Sequence, residues 1–194
     1  LGNSISDSGE WSELFADTKM KNRGISGDVS AGVMHRIGEV AQRKPEKVFL
    51  MIGTNDLARG IAPDSLLRNM FWIVDYLKEK TPATQLFVQS ILPVNEAFKM
   101  FGGHTSKGEL IRKVNAELQA RAAKHAYTYI DLHTPFSDAT GRLNAKYTND
   151  GLHLNGDGYT FWKHLIYGEV YDMQDKPSLI PMPQQLEWKD EVFP

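Results

Sequence analysis

Three short apolar runs, each closed by a turn or a proline, punctuate the first two thirds of the chain. KVFLMIG (47–53) ends in glycine, QLFVQSIL (85–92) stops at Pro93, and AYTYIDL (126–132) is rich in tyrosine, threonine and isoleucine. A strand covered by helices on both faces has no polar side to show, so such runs predict buried parallel strands. A weaker candidate covers TKMKNRG (18–24). Between the runs the spacing turns helical. Over 29–43, Val29, Val33, Ile37 and Val40 make one apolar face. Over 63–79, Pro63 suits a first helical turn, and Leu66, Leu67, Met70, Ile73, Val74 and Leu77 form one stripe. Ser106 and Glu109 match a capping box, which predicts a helix with Ile111, Val114, Leu118 and Ala122 facing inward. GEWSELF (9–15) suggests a helix after the opening turn, and a last one is predicted over 157–171.

Alternation of strand and helix argues for an α/β layer fold with a mostly parallel sheet. Active groups in such folds gather at the carboxyl ends of the strands. The pattern breaks after Asp172. DKPSLIPMPQQLEWKDEVFP (175–194) holds four of the nine prolines and cannot continue a helix. The expected organisation is one domain over 1–172, followed at 173–194 by a linker or the beginning of another domain.

Composition narrows the function. The 194 residues carry a net charge of -2, and KMKNR (19–23) is too short to be a basic stripe, so nucleic acid is not an expected partner. There is no cysteine, which removes thiolate catalysis and Cys-based zinc sites. No run of 18 apolar residues exists, so no transmembrane segment is expected. The chain starts at Leu1 on what reads as the end of a strand. The rest of that strand, and any export signal, are expected to precede it.

Four stretches could carry chemistry. Gly2-Asn3-Ser4 can present a hydroxyl at a sheet edge. In Asn22-Arg23-Gly24-Ile25-Ser26-Gly27-Asp28, two glycines let a backbone N–H approach a ligand, or Ser26 or Asp28 simply caps a helix. In Gly53-Thr54-Asn55-Asp56 the carboxamide can donate to developing negative charge, or the Asn-Asp pair satisfies its own backbone. Asp150-Gly151-Leu152-His153 can bring a carboxylate to one imidazole nitrogen and leave the other free as a base. Each stretch alone also reads as ordinary turn chemistry. Together and in this order they form one set at the strand-exit edge.

That set resembles the SGNH, or GDSL-type, hydrolases over essentially residues 1–170. The resemblance implies a three-layer α/β/α sandwich of flavodoxin-like appearance with a mostly parallel five-stranded sheet. It implies ester hydrolysis with Ser4 as nucleophile, His153 as base and Asp150 as its orienting partner. The Ser4 and Gly27 N–H groups and the Asn55 amide would form the oxyanion hole. No cofactor and no metal are expected. Asn3 stands where the family's name has aspartate, which removes one charge beside the nucleophile.

Competing patterns fit less well. The sequence holds no G-x-S-x-G elbow, no H-E-x-x-H among its six histidines and no phosphate loop. Phe98, Met100, Phe101, Gly102, Gly103 and His104 follow a strand and either wall the site or cap the core. PSLIPMPQQLEW (177–188) resembles the opening of the N-terminal domain of family 20 β-N-acetylhexosaminidases. That likeness implies a covalently linked glycosidase domain, a glycan ester substrate such as O-acetylated sialic acid, and a periplasmic or secreted setting. A lipid-directed acylhydrolase and a catalytically silent glycan-binding module are the alternatives.

Overall fold

The structure, a computed structural model, describes residues 1–173. The tail motif at 177–188 therefore lies outside the described residues. Three regular parallel strands pair side by side in the order β1 (Lys47–Leu50), β2 (Gln85–Gln89), β3 (Thr128–Ile130). Two further columns extend the sheet as single parallel bridges, from Gly2 to Met51 and from Gly2 to Gly24. Leu1 N donates to Phe49 O at 2.9 Å, and Met51 N donates to Leu1 O at 3.0 Å. On the other side Gly2 N reaches Arg23 O at 3.4 Å, and Ile25 N reaches Gly2 O at 3.1 Å. Across the sheet, the columns run second, first, third, fourth, fifth, the flavodoxin-like order.

The five expected strands thus appear as three strands and two bridges. The Gly2 column is bounded on its carboxyl side by α1, which Ser4 opens. The 18–24 segment pairs only at Gly24, opposite Gly2. Asn22 Oδ1 accepts from Gly24 N at 2.8 Å, while Asn22 Nδ2 donates to Asp7 O and Gly9 O.

The helices are α1 (Ser4–Asp7), α2 (Trp11–Leu14), α3 (Ser30–Gln42), α4 (Thr54–Ala58), α5 (Pro63–Lys80), α6 (Gly102–Thr105), α7 (Gly108–His125), α8 (His133–Phe136) and α9 (Gly156–Tyr171). Right-handed crossovers put α3, α5 and α7 on one face of the sheet. There α3 packs on α5, and α5 on α7. The predicted stripe of α5 is buried throughout, with Phe71 added. On the other face Trp162 of α9 donates to Gln89 Oε1 at 2.6 Å and meets Trp11 edge-on at 4.8 Å. The layers are those of a three-layer α/β/α sandwich.

Two local expectations need correction. GEWSELF does not form one helix over 9–15; a single turn spans Trp11–Leu14, and Ser4 itself opens α1. Ser106 does not cap α7. Its N–H closes α6 on Gly102 O at 3.2 Å, which leaves Lys107 at the cap position without a side-chain bond.

Candidate active site

The Gly2-Asn3-Ser4 turn is held by backbone contact from below. A Cβ on Gly2 would lie 2.3 Å from Met51 O, so only glycine lets the first column sit this close to the third. Asn3 then caps α1, its Oδ1 accepting from Ile5 N at 3.1 Å. This places Ser4 at the first helical position, where the backbone N–H has no partner within the helix. The neutral Asn3 supplies the cap that an aspartate would also supply.

Ser4 Oγ lies 3.2 Å from His153 Nε2, and His153 Nδ1 lies 2.8 Å from Asp150 Oδ2. The other carboxylate oxygen, Oδ1, accepts from Leu152 N at 2.8 Å and His153 N at 2.7 Å. Both Asp150 oxygens act as acceptors, so the proton on neutral His153 sits at Nδ1 and Nε2 is free to accept from Ser4. Burial works against the Asp150 charge. The His153 ring and the two N–H groups outweigh it and hold the carboxyl below the usual range.

The second and third blocks lock together beside this triad. Gly27 has φ +79°, a left-handed backbone that favours glycine. Asn55 Nδ2 donates to Asp28 O at 2.8 Å, which brings its carboxamide against the residue after Gly27. Its second N–H, like the Ser4 and Gly27 N–H groups, has no acceptor among the described residues. Such an arrangement can take a proton from a hydroxyl and offer three donors to an oxyanion.

Sequence reasoning missed the parts that hold these pieces. Neither Ser26 nor Asp28 caps α3; Val29 occupies the cap position. The buried Asp56 carboxylate instead accepts from Ser30 N at 3.1 and 3.0 Å and from Ser30 Oγ. The GTND aspartate thus ties α4 to the start of α3, across 26 positions. Arg36 pairs with Asp28 Oδ2 at 2.9 Å and donates to Arg23 O at 2.9 Å and Gly2 O at 3.1 Å. The apolar loop after β2 walls the site at Phe101, edge-on to His153 at 5.1 Å between ring centroids. His104 Nε2 lies 2.9 Å from Asn55 Oδ1. A cavity of about 660 Å³ opens at the strand-entry end between Trp11, Arg23, Phe49 and Trp162, and none of the site residues lines it.

Asp56→Ala would leave the Ser30 N–H buried without an acceptor. Unfolding in urea is expected to show a loss of about 2–4 kcal/mol. A loss below about 0.5 kcal/mol would mean that Ser30 finds another partner.

A Ser–His–Asp arrangement at the strand-exit edge of a flavodoxin-type sheet has the geometry that acyl transfer requires. The GDSL-like lipase/acylhydrolase family matches residues 1–161, and the chain belongs to that family. It is 30% identical over 158 residues to the N-acylneuraminate cytidylyltransferase of Escherichia coli O18:K1:H7, covering 77% of this chain and 35% of that protein. It is 29% identical over 154 residues to human platelet-activating factor acetylhydrolase IB subunit alpha1, covering 77% of this chain and 63% of that one. The chain therefore spans about a third of the first relative and less than two thirds of the second. Among solved structures, a GDSL-like lipase from Bacteroides thetaiotaomicron VPI-5482 superposes with a TM-score of 0.77 at 25% identity, covering 88% of this chain and 85% of that one.

Proposed function

We propose that this chain is a serine esterase that removes short acyl groups, foremost O-acetyl groups from carboxylated sugars such as sialic acids. The observation that carries the esterase chemistry is the continuous line from Ser4 Oγ through His153 to Asp150. In this reading His153 Nε2 takes the Ser4 proton as the hydroxyl oxygen attacks the ester carbonyl. The tetrahedral oxyanion forms against the Ser4 and Gly27 N–H groups and the Asn55 amide. Each such donor is worth about 10²–10³ in turnover. His153 then protonates the departing alcohol, the C–O bond breaks, and water repeats the cycle on the acyl-enzyme.

Two observations support an acetylated, anionic substrate. One relative is named for acetyl removal and another for N-acylneuraminate, a carboxylated sugar. Arg59 is exposed beside the second block, with its Nη2 donating to Gly27 O at 2.8 Å. Its remaining N–H groups suit a substrate carboxylate at the rim of the site. The relationship to platelet-activating factor acetylhydrolases and the exposed Met100 and Phe101 favour a second reading, a lipid-directed acylhydrolase.

Turnover of p-nitrophenyl acetate against p-nitrophenyl octanoate separates the two. The acetate ester is expected to be preferred by about tenfold or more. Arg59→Ala should raise KM several-fold for O-acetylated sialic acid and leave p-nitrophenyl acetate unaffected. An octanoate preference would install the lipid reading. An unchanged KM in the Arg59 variant would remove the carboxylate subsite.

A further inference from the structure

His104 lies 49 positions from Asn55 in the chain, yet its ring ends on the one polar atom of Asn55 that the oxyanion would not use. The orientation of that carboxamide follows from its partners. Asp28 O is a carbonyl and can only accept, so the group facing it at 2.8 Å is the Asn55 NH₂. The atom facing His104 is then Oδ1, which also only accepts. The His104 Nε2 atom must therefore carry a hydrogen, and in the neutral ring Nδ1 is bare. Two bonds, one at each end, leave the Asn55 carboxamide a single orientation. Its remaining N–H then has a fixed direction.

The loop that delivers His104 is built at a conformational cost. Lys99 and Phe101 both adopt left-handed backbone, at φ +55° and +51°, without being glycine. The single turn of α6 follows at once. His104 N donates to Phe101 O at 2.7 Å, and Thr105 Oγ1 donates to Met100 O at 3.1 Å. The turn also sets the Phe101 ring edge-on to both His104 and His153. One loop thus touches the base on one side and the oxyanion donor on the other. Burial, with the charges His153 and Arg59 would add, holds the His104 imidazole below its ordinary range, which keeps it neutral near pH 7.

We propose that His104 is a positioning residue for the ester hydrolysis proposed above: its Nε2–H fixes and polarises the Asn55 carboxamide so that the free amide hydrogen meets the oxyanion. This rests on the esterase reading. An amide whose oxygen donates electron density to a hydrogen bond is a stronger donor at its own N–H. The benefit appears when charge develops, so it falls on kcat rather than on substrate binding.

The test is a double-mutant cycle on p-nitrophenyl acetate with a tautomer measurement beside it. His104→Ala is expected to lower kcat about 10- to 100-fold with KM within twofold. His104→Gln, which keeps an N–H donor on a side chain of similar reach, should recover most of the loss. In an Asn55→Ala background His104→Ala should cost less than about twofold more, because both variants remove one unit. A loss that multiplies fully across the cycle, or that falls on KM, would overturn the proposal. Nitrogen-15 shifts of His104 at pH 8 read the tautomer whether or not any ester turns over. An Nδ1–H ring there would overturn the inference, while an Nε2–H ring in a protein without esterase activity would overturn only the function it rests on.

Discussion

Ser4→Ala is expected to lower kcat on p-nitrophenyl acetate by roughly 10⁴- to 10⁶-fold while the thermal unfolding transition stays within a few degrees of the parent. On the proposed mechanism the size follows from losing the attacking atom; what would survive is the oxyanion donors acting on water. The stability expectation follows from the turn itself. The cap on α1 belongs to Asn3, not to the Ser4 side chain, and Ser4 Oγ makes its one described bond to His153 at 3.2 Å, near the surface. Steady-state kinetics and a melting curve on the same preparation check both. A variant that retains a tenth of the parent turnover would place the nucleophile elsewhere.

The second large effect is on Asp150→Asn, expected to cost about 10⁴-fold in kcat. The reason is specific to this loop. Leu152 N and His153 N both donate to Oδ1, so an asparagine keeps its oxygen there and turns its NH₂ toward His153 Nδ1. That amine can only donate. It would push the imidazole proton onto Nε2, where it faces Ser4 as a donor instead of an acceptor. The same exchange alters the response to acid. The folded Asp150 pKa lies below its unfolded value, so its contribution to stability is full above the ordinary carboxylate pKa of about 3.9 and is lost as pH falls through the lower folded value. Urea unfolding should therefore separate parent and variant at pH 7 and bring them closer at the acid end. A gap that is constant with pH would mean that the charge of Asp150 is not what stabilises the loop. Retention of a tenth of kcat would mean that the tautomer is held by something other than Asp150.

Much of this is legible in the sequence because the signals are local. The α5 stripe and its Pro63 are read within one segment, and the strand KVFL needs only its own apolar run. The order of the four blocks also sets their place on the sheet edge, since the first three each follow a strand column and the fourth precedes the last helix. What escapes such reading is competition for a group between neighbouring elements, and contact at long range. Ser106 and Glu109 have the spacing of a capping box, but Ser106 already closes α6, a contact that no spacing rule contains. The reading of Asn55-Asp56 as a self-satisfied turn fails because Asp56 serves Ser30, and Asn55 serves Asp28 and answers to His104. In the weak 18–24 strand the side chain of Asn22 bonds Gly24 N and the carbonyl of Asp7, contacts that a residue pattern does not contain.

Arg36 is the point at which this edge would fail. Its guanidinium joins the carbonyl of Gly2 to the carbonyl of Arg23 and the carboxylate of Asp28, two segments that lie some twenty positions apart in sequence. The turn before Ser4 and the loop carrying Gly27 are therefore not two independently fraying ends. They share one rivet, so amide exchange in the Gly2 turn and in the 23–28 loop is expected to quicken together when Arg36 is replaced.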